Sequence, residues 1–353
     1  MTPRQRVEAV LRGEAADKIP FTIYPNHLPP SAAARKQLGK HGVCIVKGTR
    51  VFRTYSPNVR TQSESYTENG VEYVKRTIHT PVGDLFTVDR PAGFTAWHLS
   101  KLFKKPEDYR TILFMVNDQH FEPDYEPFAK EQREVGEDMI LRAFIGANPL
   151  HQVMILWMGV EAFSVEWAER RDEIEKLYDA IVENHREIYP IVAQSPALLT
   201  NYGGNETADV MGRERFAKYV VPLHNEAAEV FHRHGKFLGT HLDGNNKGWA
   251  DLVAKSGLDY VEGFTPAPVS DMTMADAFDA WPNKLVWINF PSSVHLDSTE
   301  QIEETTQDII EASVPDRRLI IGTTEWIPEE HREKSLLAIS RVIDREGIMP
   351  LGQ

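Results

Sequence analysis

Residues 236–246, KFLGTHLDGNN, have the pattern of a buried strand that ends in the polar pair His241 and Asp243. An extended chain points residues i and i+2 to the same side, so these two side chains share a face where the strand ends. A second short run, residues 257–262 (GLDYVE), ends in the carboxylate of Glu262. Both runs follow helical segments, and α/β barrels assemble their chemistry at the C-terminal ends of strands that alternate with helices. The stretch therefore predicts a barrel with a site at its strand ends. The alternative is that Asp243 and Gly244 make an ordinary turn and that His241 is a satisfied barrel histidine.

The same alternation of strands and helices extends along most of the chain. Between the strand candidates lie helices such as residues 213–233, whose apolar side chains recur at three- and four-residue intervals. Residues 65–88 alternate with a period of two and turn at Asn69-Gly70, which predicts an inserted β-meander. We predict an α/β fold: a single (β/α)8 TIM barrel domain over residues 1–353, with this small insertion near the N-terminus. The strand candidates are residues 19–23, 139–145, 197–201, 237–241, 260–264, 285–289 and 319–321.

Composition narrows the class of protein. The 353 residues are 41% hydrophobic and 26% charged, and the formal net charge of −13 makes nucleic acid or an anionic membrane an unfavourable partner. No apolar run approaches the ~20 residues of a membrane-spanning helix, and no secretory signal pattern opens the sequence. The single cysteine, Cys44, excludes an internal disulfide and a cysteine-rich metal site, and its apolar neighbours predict a buried side chain. We expect a cytoplasmic protein.

Three segments carry a resemblance to a known superfamily. They are residues 2–21 (TPRQRVEAVLRGEAADKIPF), residues 80–86 (TPVGDLF) and residues 212–245, which run from GRERFAKYVVPLHNEAAEVFHRHGK into FLGTHLDGN. Together they resemble the uroporphyrinogen decarboxylase superfamily, which contains decarboxylases and methyltransferases that use a corrinoid protein or a thiol. The decarboxylase branch grips its polyanionic substrate with arginines after the first strand, whereas residues 21–37 contain none before Arg35. The resemblance thus favours the methyltransferase branch.

The resemblance also implies a metal site. In the thiol-methylating members, zinc is held by a His-x-Cys pair after one strand and by a later Cys, with an intervening Glu in cobalamin-independent methionine synthase. Here the corresponding positions are His241, Asp243 and Glu262, and no cysteine stands near residues 322–325. Carboxylates would give a harder, more Lewis-acidic zinc than thiolates, with an open position for substrate. The alternative is a hydrogen-bonded cluster without metal, in which Asp243 fixes the imidazole tautomer.

Other polar and aromatic side chains follow the predicted strands and are candidates for the barrel mouth. Glu325, at the end of the last strand, is predicted as a further catalytic residue, a last metal ligand or a helix cap. Tyr202, Trp326 and Phe290 are candidates for an apolar wall against an aromatic or methylated group. For each of these residues, ordinary packing is the alternative. The predicted substrate-binding residues are His27, Asn148, Asn201, Tyr202, Asn205, Asn289 and Trp326.

Three functional hypotheses follow. The first is a methyltransferase that demethylates a small O- or N-methylated substrate, a methoxylated aromatic in particular, and passes the methyl group to a corrinoid protein with zinc as the Lewis acid. The second is a lyase or decarboxylase that acts on a small substrate without corrinoid, in which the same carboxylates move protons. The third is a barrel that binds a ligand without catalysis. A homodimer is a further expectation from the family.

Overall fold

Eight parallel strands close into a barrel in the computed structural model, which describes residues 1–93, 95–314 and 318–349. Around the ring the order is β1, β2, β9, β10, β11, β12, β13 and β14, and β14 pairs with β1 to close it. The predicted (β/α)8 TIM barrel is therefore confirmed. In chain order the strands are β1 (Phe21–Ile23), β2 (Cys44–Gly48), β3 (Phe52–Tyr55), β4 (Arg60–Glu68), β5 (Val71–Thr80), β6 (Gly83–Ala92), β7 (Thr95–Ser100), β8 (His120–Pro123), β9 (Met139–Phe144), β10 (Leu199–Asn201), β11 (Phe237–His241), β12 (Tyr260–Phe264), β13 (Leu285–Asn289) and β14 (Leu319–Thr323).

Helices follow every barrel strand along the chain. They are α1 (Pro3–Leu11), α2 (Ala32–Lys40), α3 (Asp108–Asn117), α4 (Glu126–Glu134), α5 (Pro149–His151), α6 (Val160–Glu169), α7 (Arg171–Ala193), α8 (Ala208–Met211), α9 (Arg213–Arg215), α10 (Val221–His232), α11 (Ala250–Lys255), α12 (Met274–Ala280), α13 (Thr299–Ala312) and α14 (Glu329–Glu346). Short 3₁₀ turns span Pro25–His27, Lys247–Trp249 and Ser292–Leu296, and π-helical turns span Gln152–Met158 and Phe216–Val220. Within the described residues, none of these helices has the length and apolar character needed to cross a membrane.

The first helix shows how the sequence sets a local boundary. The Thr2 hydroxyl accepts a hydrogen bond from the Gln5 backbone, the Gln5 side chain accepts one from the Thr2 backbone, and Pro3 begins the helix. This capping box satisfies two backbone donors that a helix start otherwise leaves unpaired. The buried Val7 and Val10 then face the protein interior.

The last three barrel strands are buried at every position. Apart from polar residues such as Glu262 and Asn289, their apolar character is typical of a parallel sheet that is covered on both faces. Cys44 lies in β2, is buried as predicted, and burial raises the pKa of its thiol.

An excursion of the chain leaves the barrel after Val51 and returns at Asp124, and these two residues are joined because the Asp124 N–H donates to the Val51 carbonyl at 2.9 Å. The excursion contains the antiparallel pair β3–β8 and a four-stranded sheet in the order β4, β5, β6, β7. The meander predicted for residues 65–88 lies inside this sheet, which is longer than predicted because pairing continues from Arg60 to Ser100.

The chain divides into two compact units. The first comprises Met1–Val51, Asp124–Gly146 and Val192–Gln353 and holds the complete barrel. The second comprises Phe52–Pro123 and Ala147–Ile191 and holds both antiparallel sheets. That the whole chain behaves as one domain stays a prediction.

Acid should destabilise the protein through its buried histidines. His224, on α10, lies between the rings of Tyr202 and Phe216, and burial lowers its pKa to about 3, with a smaller contribution from Lys284. The unfolded histidine takes up a proton below about pH 6.5, whereas the folded one does not until near pH 3, so each pH unit in that window removes roughly 1.4 kcal/mol of unfolding free energy. Urea titrations between about pH 7 and pH 5 should show a slope that includes this contribution, and His224→Phe should reduce the slope by that amount.

The exposed His234 offers a matched control, since His234→Gln should leave the slope of stability against pH as it is in the parent protein. A His224→Phe variant that folds but retains the full parental slope would contradict the prediction.

Candidate active site

His241 and Glu262 are direct neighbours across two barrel strands. The parallel register pairs His241 of β11 with Glu262 of β12, and His241 Nδ1 lies 2.8 Å from Glu262 Oε2. On its other side, His241 Nε2 lies 3.0 Å from Asp243 Oδ1. The structure thus brings together the three residues that the sequence singled out, at the carboxyl ends of neighbouring strands.

Glu262 is the centre of the cluster and is 0% exposed. Arg142 of β9 forms an ion pair with it, with Nη1 2.8 Å from Oε1, and the Tyr24 hydroxyl donates a hydrogen bond to the same oxygen. Asn201 of β10 donates its Nδ2 to Oε2 at 2.9 Å. Burial alone would raise the pKa of Glu262, but the positive charges of Arg142 and His241 outweigh it and hold the pKa well below its ordinary value. The carboxylate is therefore ionised and has two partners on each oxygen.

His241 is held as a cation between two carboxylates. Burial opposes protonation, yet the charge of Glu262 and the hydrogen bonds that His241 donates to both acids raise its pKa above the ordinary value. An imidazolium donates from both ring nitrogens, which matches one acceptor at Nδ1 and another at Nε2. Asp243, whose side chain is 31% exposed, is the most accessible of the three groups.

A glycine makes room for this imidazole. Gly263 has a φ of +82°, and the pairing of β12 with β13 shifts register at this point. A Cβ on Gly263 would lie 2.4 Å from the His241 ring, so a side chain there is incompatible with the observed ring position. Such a bulge re-aims neighbouring side chains in a strand. In the same way, Gly239 lies beneath the Tyr260 ring, whose hydroxyl donates to Asn201 Oδ1 at 2.6 Å and orients that amide toward Glu262.

Glu206 is a buried acid that the sequence interpretation missed. It follows β10 in the TNYGGNE segment, and its backbone bridges to Leu242 beside His241. Its Oε2 accepts the Gly204 N–H at 2.8 Å, whereas Oε1 has no hydrogen-bond partner in the described part of the chain. Burial raises the pKa of Glu206 to about 7, so this carboxyl exchanges a proton near neutral pH. A usable signal existed, because Glu206 follows a barrel strand as Asp243 does.

The donor atoms here do not fit a zinc ion as they are arranged. Both nitrogens of His241 are already engaged, and a protonated imidazole has no lone pair for a metal. Glu262 is neutralised by Arg142 and saturated with hydrogen bonds. Among the described residues, no group of three or more His, Cys, Asp or Glu side chains is placed to hold a metal ion. Zinc at His241, Asp243 and Glu262 stays a prediction.

Several predicted substrate-binding residues are buried and have structural contacts. Asn201 orients Glu262, and Asn289 Oδ1 accepts the Thr324 N–H at 2.9 Å, which fixes the backbone after β14. Tyr202 packs edge-on against His224 and is fully buried. His27 is likewise buried, and burial together with Arg332 lowers its pKa to about 4. Phe290, the third candidate for an apolar wall, is buried against His295.

The remaining predicted substrate-binding and catalytic residues are exposed or belong to the second compact unit. Asn205 is exposed, has a φ of +63°, and donates its N–H to the His241 carbonyl, so it forms the turn beside the cluster. Glu325 is exposed and accepts a hydrogen bond from Ser292, and Trp326 is 44% exposed with the Arg332 guanidinium over its ring. Asn148 belongs to the second unit, where it caps α5 by accepting the Leu150 N–H. Substrate binding by these residues stays a prediction.

Fold and cluster together define a (β/α)8 barrel with a buried ionic network at its strand ends. No protein-family model and no curated protein matches the sequence. Among solved structures, a methyltransferase from Methanosarcina mazei is similar with a TM-score of 0.56 at 13% identity, over 97% of this chain and 99% of that one. This likeness shows a shared fold along nearly the whole chain.

Two further solved structures are similar at lower TM-scores. A sugar phosphate isomerase/epimerase from Parabacteroides distasonis has a TM-score of 0.37 at 12% identity, over 93% of this chain and 96% of that one. An endo-beta-1,4-mannanase from Thermotoga petrophila has a TM-score of 0.40 at 10% identity, over 96% of this chain and 78% of that one. Because one fold can support many functions, the function has to be argued from the site.

Removing the Arg142 charge should destabilise the protein strongly. Arg142→Met leaves the buried Glu262 carboxylate without its strongest counter-charge, and breaking a buried ion pair costs roughly 3 to 5 kcal/mol. Urea unfolding measures the loss directly. The double variant Arg142→Met with Glu262→Gln should lose less than the sum of the two single variants, since neither uncompensated charge then remains.

The ion pair between Arg341 and Glu303 is a matched control because both side chains are partly exposed. Arg341→Met should cost less than about 1 kcal/mol. Equal losses for the Arg142 and Arg341 variants would contradict the central role of the buried pair.

Proposed function

We propose that the protein is a methyltransferase that removes a methyl group from a small O- or N-methylated compound, with His241 as the acid for the leaving atom. The single observation behind this proposal is the cationic imidazole held between Asp243 and Glu262 at the strand ends. An ether or amine is a poor leaving group unless the charge that develops on it is neutralised, and a positioned acid supplies that neutralisation. A methoxylated aromatic is the substrate class that we favour.

The proposed step couples methyl transfer to proton transfer. The methyl carbon forms a bond to the nucleophile of the methyl acceptor as its bond to the substrate oxygen breaks. The electron pair stays on the oxygen, and the proton on His241 Nε2 moves to it, giving an alcohol or phenol. Asp243 is the partly exposed partner at Nε2, so the substrate atom takes its place there. His241 then becomes neutral and keeps its Nδ1 proton, which it still donates to Glu262. Arg142 remains beside Glu262 and preserves the charge balance of the interior.

The methyl acceptor that we propose is the corrinoid cofactor of a separate protein, which would supply a nucleophilic cobalt at the barrel mouth. The support is the superfamily resemblance of the sequence, together with the fold shared with the Methanosarcina mazei methyltransferase. The exposed Glu325 and Trp326 are candidates for contact with substrate or partner at this mouth.

Methyl transfer can be tested with reduced cobalamin and a panel of methoxylated aromatics and methylamines. We expect formation of methylcobalamin, followed by its absorbance, to be unchanged by a strong chelator and to fall about a hundredfold or more in His241→Asn, because that variant lacks the transferable proton. The exposed His234→Asn variant is the control and should keep the parental rate. Absence of a methyl–cobalt product across the panel, or full activity in His241→Asn, would sink the proposal.

A lyase or decarboxylase is the second candidate, and Glu206 is the observation that favours it. A buried carboxyl with one unpaired oxygen and a pKa near 7 suits proton abstraction from a bound substrate. As the base, Glu206 must be ionised, so the rate should rise with pH through about 7 and level off above it. Glu206→Gln should abolish this rise together with incorporation of solvent deuterium into product. A rate that is flat across neutral pH in the parent protein would exclude this role.

A further inference from the structure

The strand β4 forms an unprotected edge of the four-stranded sheet. It lies at one end of the strand order, and its only strand partner among the described residues is β5. All nine of its residues, Arg60–Glu68, are exposed, and none is a proline. A long, flat edge strand presents unpaired backbone groups and is a template for pairing with another strand.

The turn at one end of β4 shows which backbone groups point outward. Asn69 and Gly70 have φ values of +51° and +78°, as in a two-residue hairpin turn, and the flanking pair is Glu68 with Val71. Such a turn closes on a hydrogen-bonded pair, and hydrogen-bonded and free residues then alternate along the strand. The outward-directed N–H and C=O groups of β4 therefore belong to Thr61, Ser63, Ser65 and Thr67.

The sequence RTQSESYTE is complementary to itself when two copies run antiparallel. In the register centred on Glu64, all nine residues overlap, Thr61 lies opposite Thr67 of the partner subunit, and Ser63 lies opposite Ser65 of the partner subunit. These opposed residues are the ones whose backbone N–H and C=O groups point away from β5. In this register each of those groups can form a hydrogen bond with the other strand. Opposed Thr and Ser side chains also favour cross-strand pairing.

The charges select the same register. Arg60 lies opposite Glu68 of the partner subunit, and the two-fold symmetry repeats this pair. A shift by two residues in either direction removes the pairing: it places Arg60 opposite Gly70 or Tyr66 of the partner subunit. The central Glu64 meets its own copy, but Lys75 lies 3.5 Å from each Glu64 carboxylate and offsets the repulsion.

We propose that β4 is a self-association surface, and that two copies of the chain pair through antiparallel β4 strands into one continuous eight-stranded sheet. The interface is isologous, with the two-fold axis at Glu64. It lies wholly within the second unit and does not depend on the methyl-transfer proposal. The stacked Tyr66 and Tyr73 rings, 5.4 Å apart, lie on one face of the sheet beside the symmetry axis.

A charge swap tests the register. Sedimentation analysis of the full chain should show a reversible dimer at micromolar concentrations. Arg60→Glu or Glu68→Arg alone should each raise the dimer dissociation constant about tenfold, because one substitution places two like-charged pairs in the interface. The double variant carrying both should return to the parental dissociation constant. Arg76→Glu on β5, exposed and outside the edge, is the control that should leave it unchanged.

Backbone pairing is tested separately. Ser63→Pro removes an outward N–H without touching a bond to β5 and should abolish the dimer, whereas Ser63→Ala should retain it. Circular dichroism and the melting temperature verify that each variant folds. A protein that is monomeric at the highest attainable concentration overturns the proposal. So does a dimer whose dissociation constant is the same in Ser63→Pro and in the parent protein, since its interface then lies elsewhere.

Discussion

The buried carboxylate of Glu262 is the constraint on which the site depends. An ionised acid in a barrel interior is unfavourable unless its charge is compensated and its lone pairs are filled. Arg142, Tyr24, Asn201 and His241 do this from four different parts of the barrel. The closed ring of strands is what holds these groups at hydrogen-bonding distance, so the fold and the electrostatics of the site stabilise each other. The exposed ion pairs elsewhere on the chain impose no comparable requirement.

This arrangement gives His241 its chemical character. An isolated buried histidine loses its proton, as the low pKa values of His224 and His27 illustrate. The His241 side chain is 16% exposed, and its pKa is raised because two carboxylates face its two nitrogens. Both ring nitrogens face a carboxylate oxygen, at 2.8 Å from Nδ1 and 3.0 Å from Nε2, which is the arrangement that a doubly protonated imidazole needs.

The barrel and part of the site could be predicted because both follow from patterns of apolar and polar residues that are close together in the sequence. Seven of the eight barrel strands appear as apolar runs, and the i, i+2 spacing with one neighbouring strand was enough to bring His241, Asp243 and Glu262 together. The strand β2 escaped notice because its five residues include Lys47 and a terminal glycine. Arg142 and Tyr24 were missed for a different reason. A buried arginine such as Arg142 needs an acidic partner. That partner, Glu262, lies more than a hundred residues away in the sequence, and the two are brought together only when the barrel closes.

The hydrogen bond between Val51 and Asp124 bears on how the excursion between these two residues can vary in length. This bond joins the two ends of the excursion. The length of chain between Val51 and Asp124 therefore has little effect on closure of the barrel. The excursion can for this reason be lengthened or shortened without a change in the strand order of the barrel.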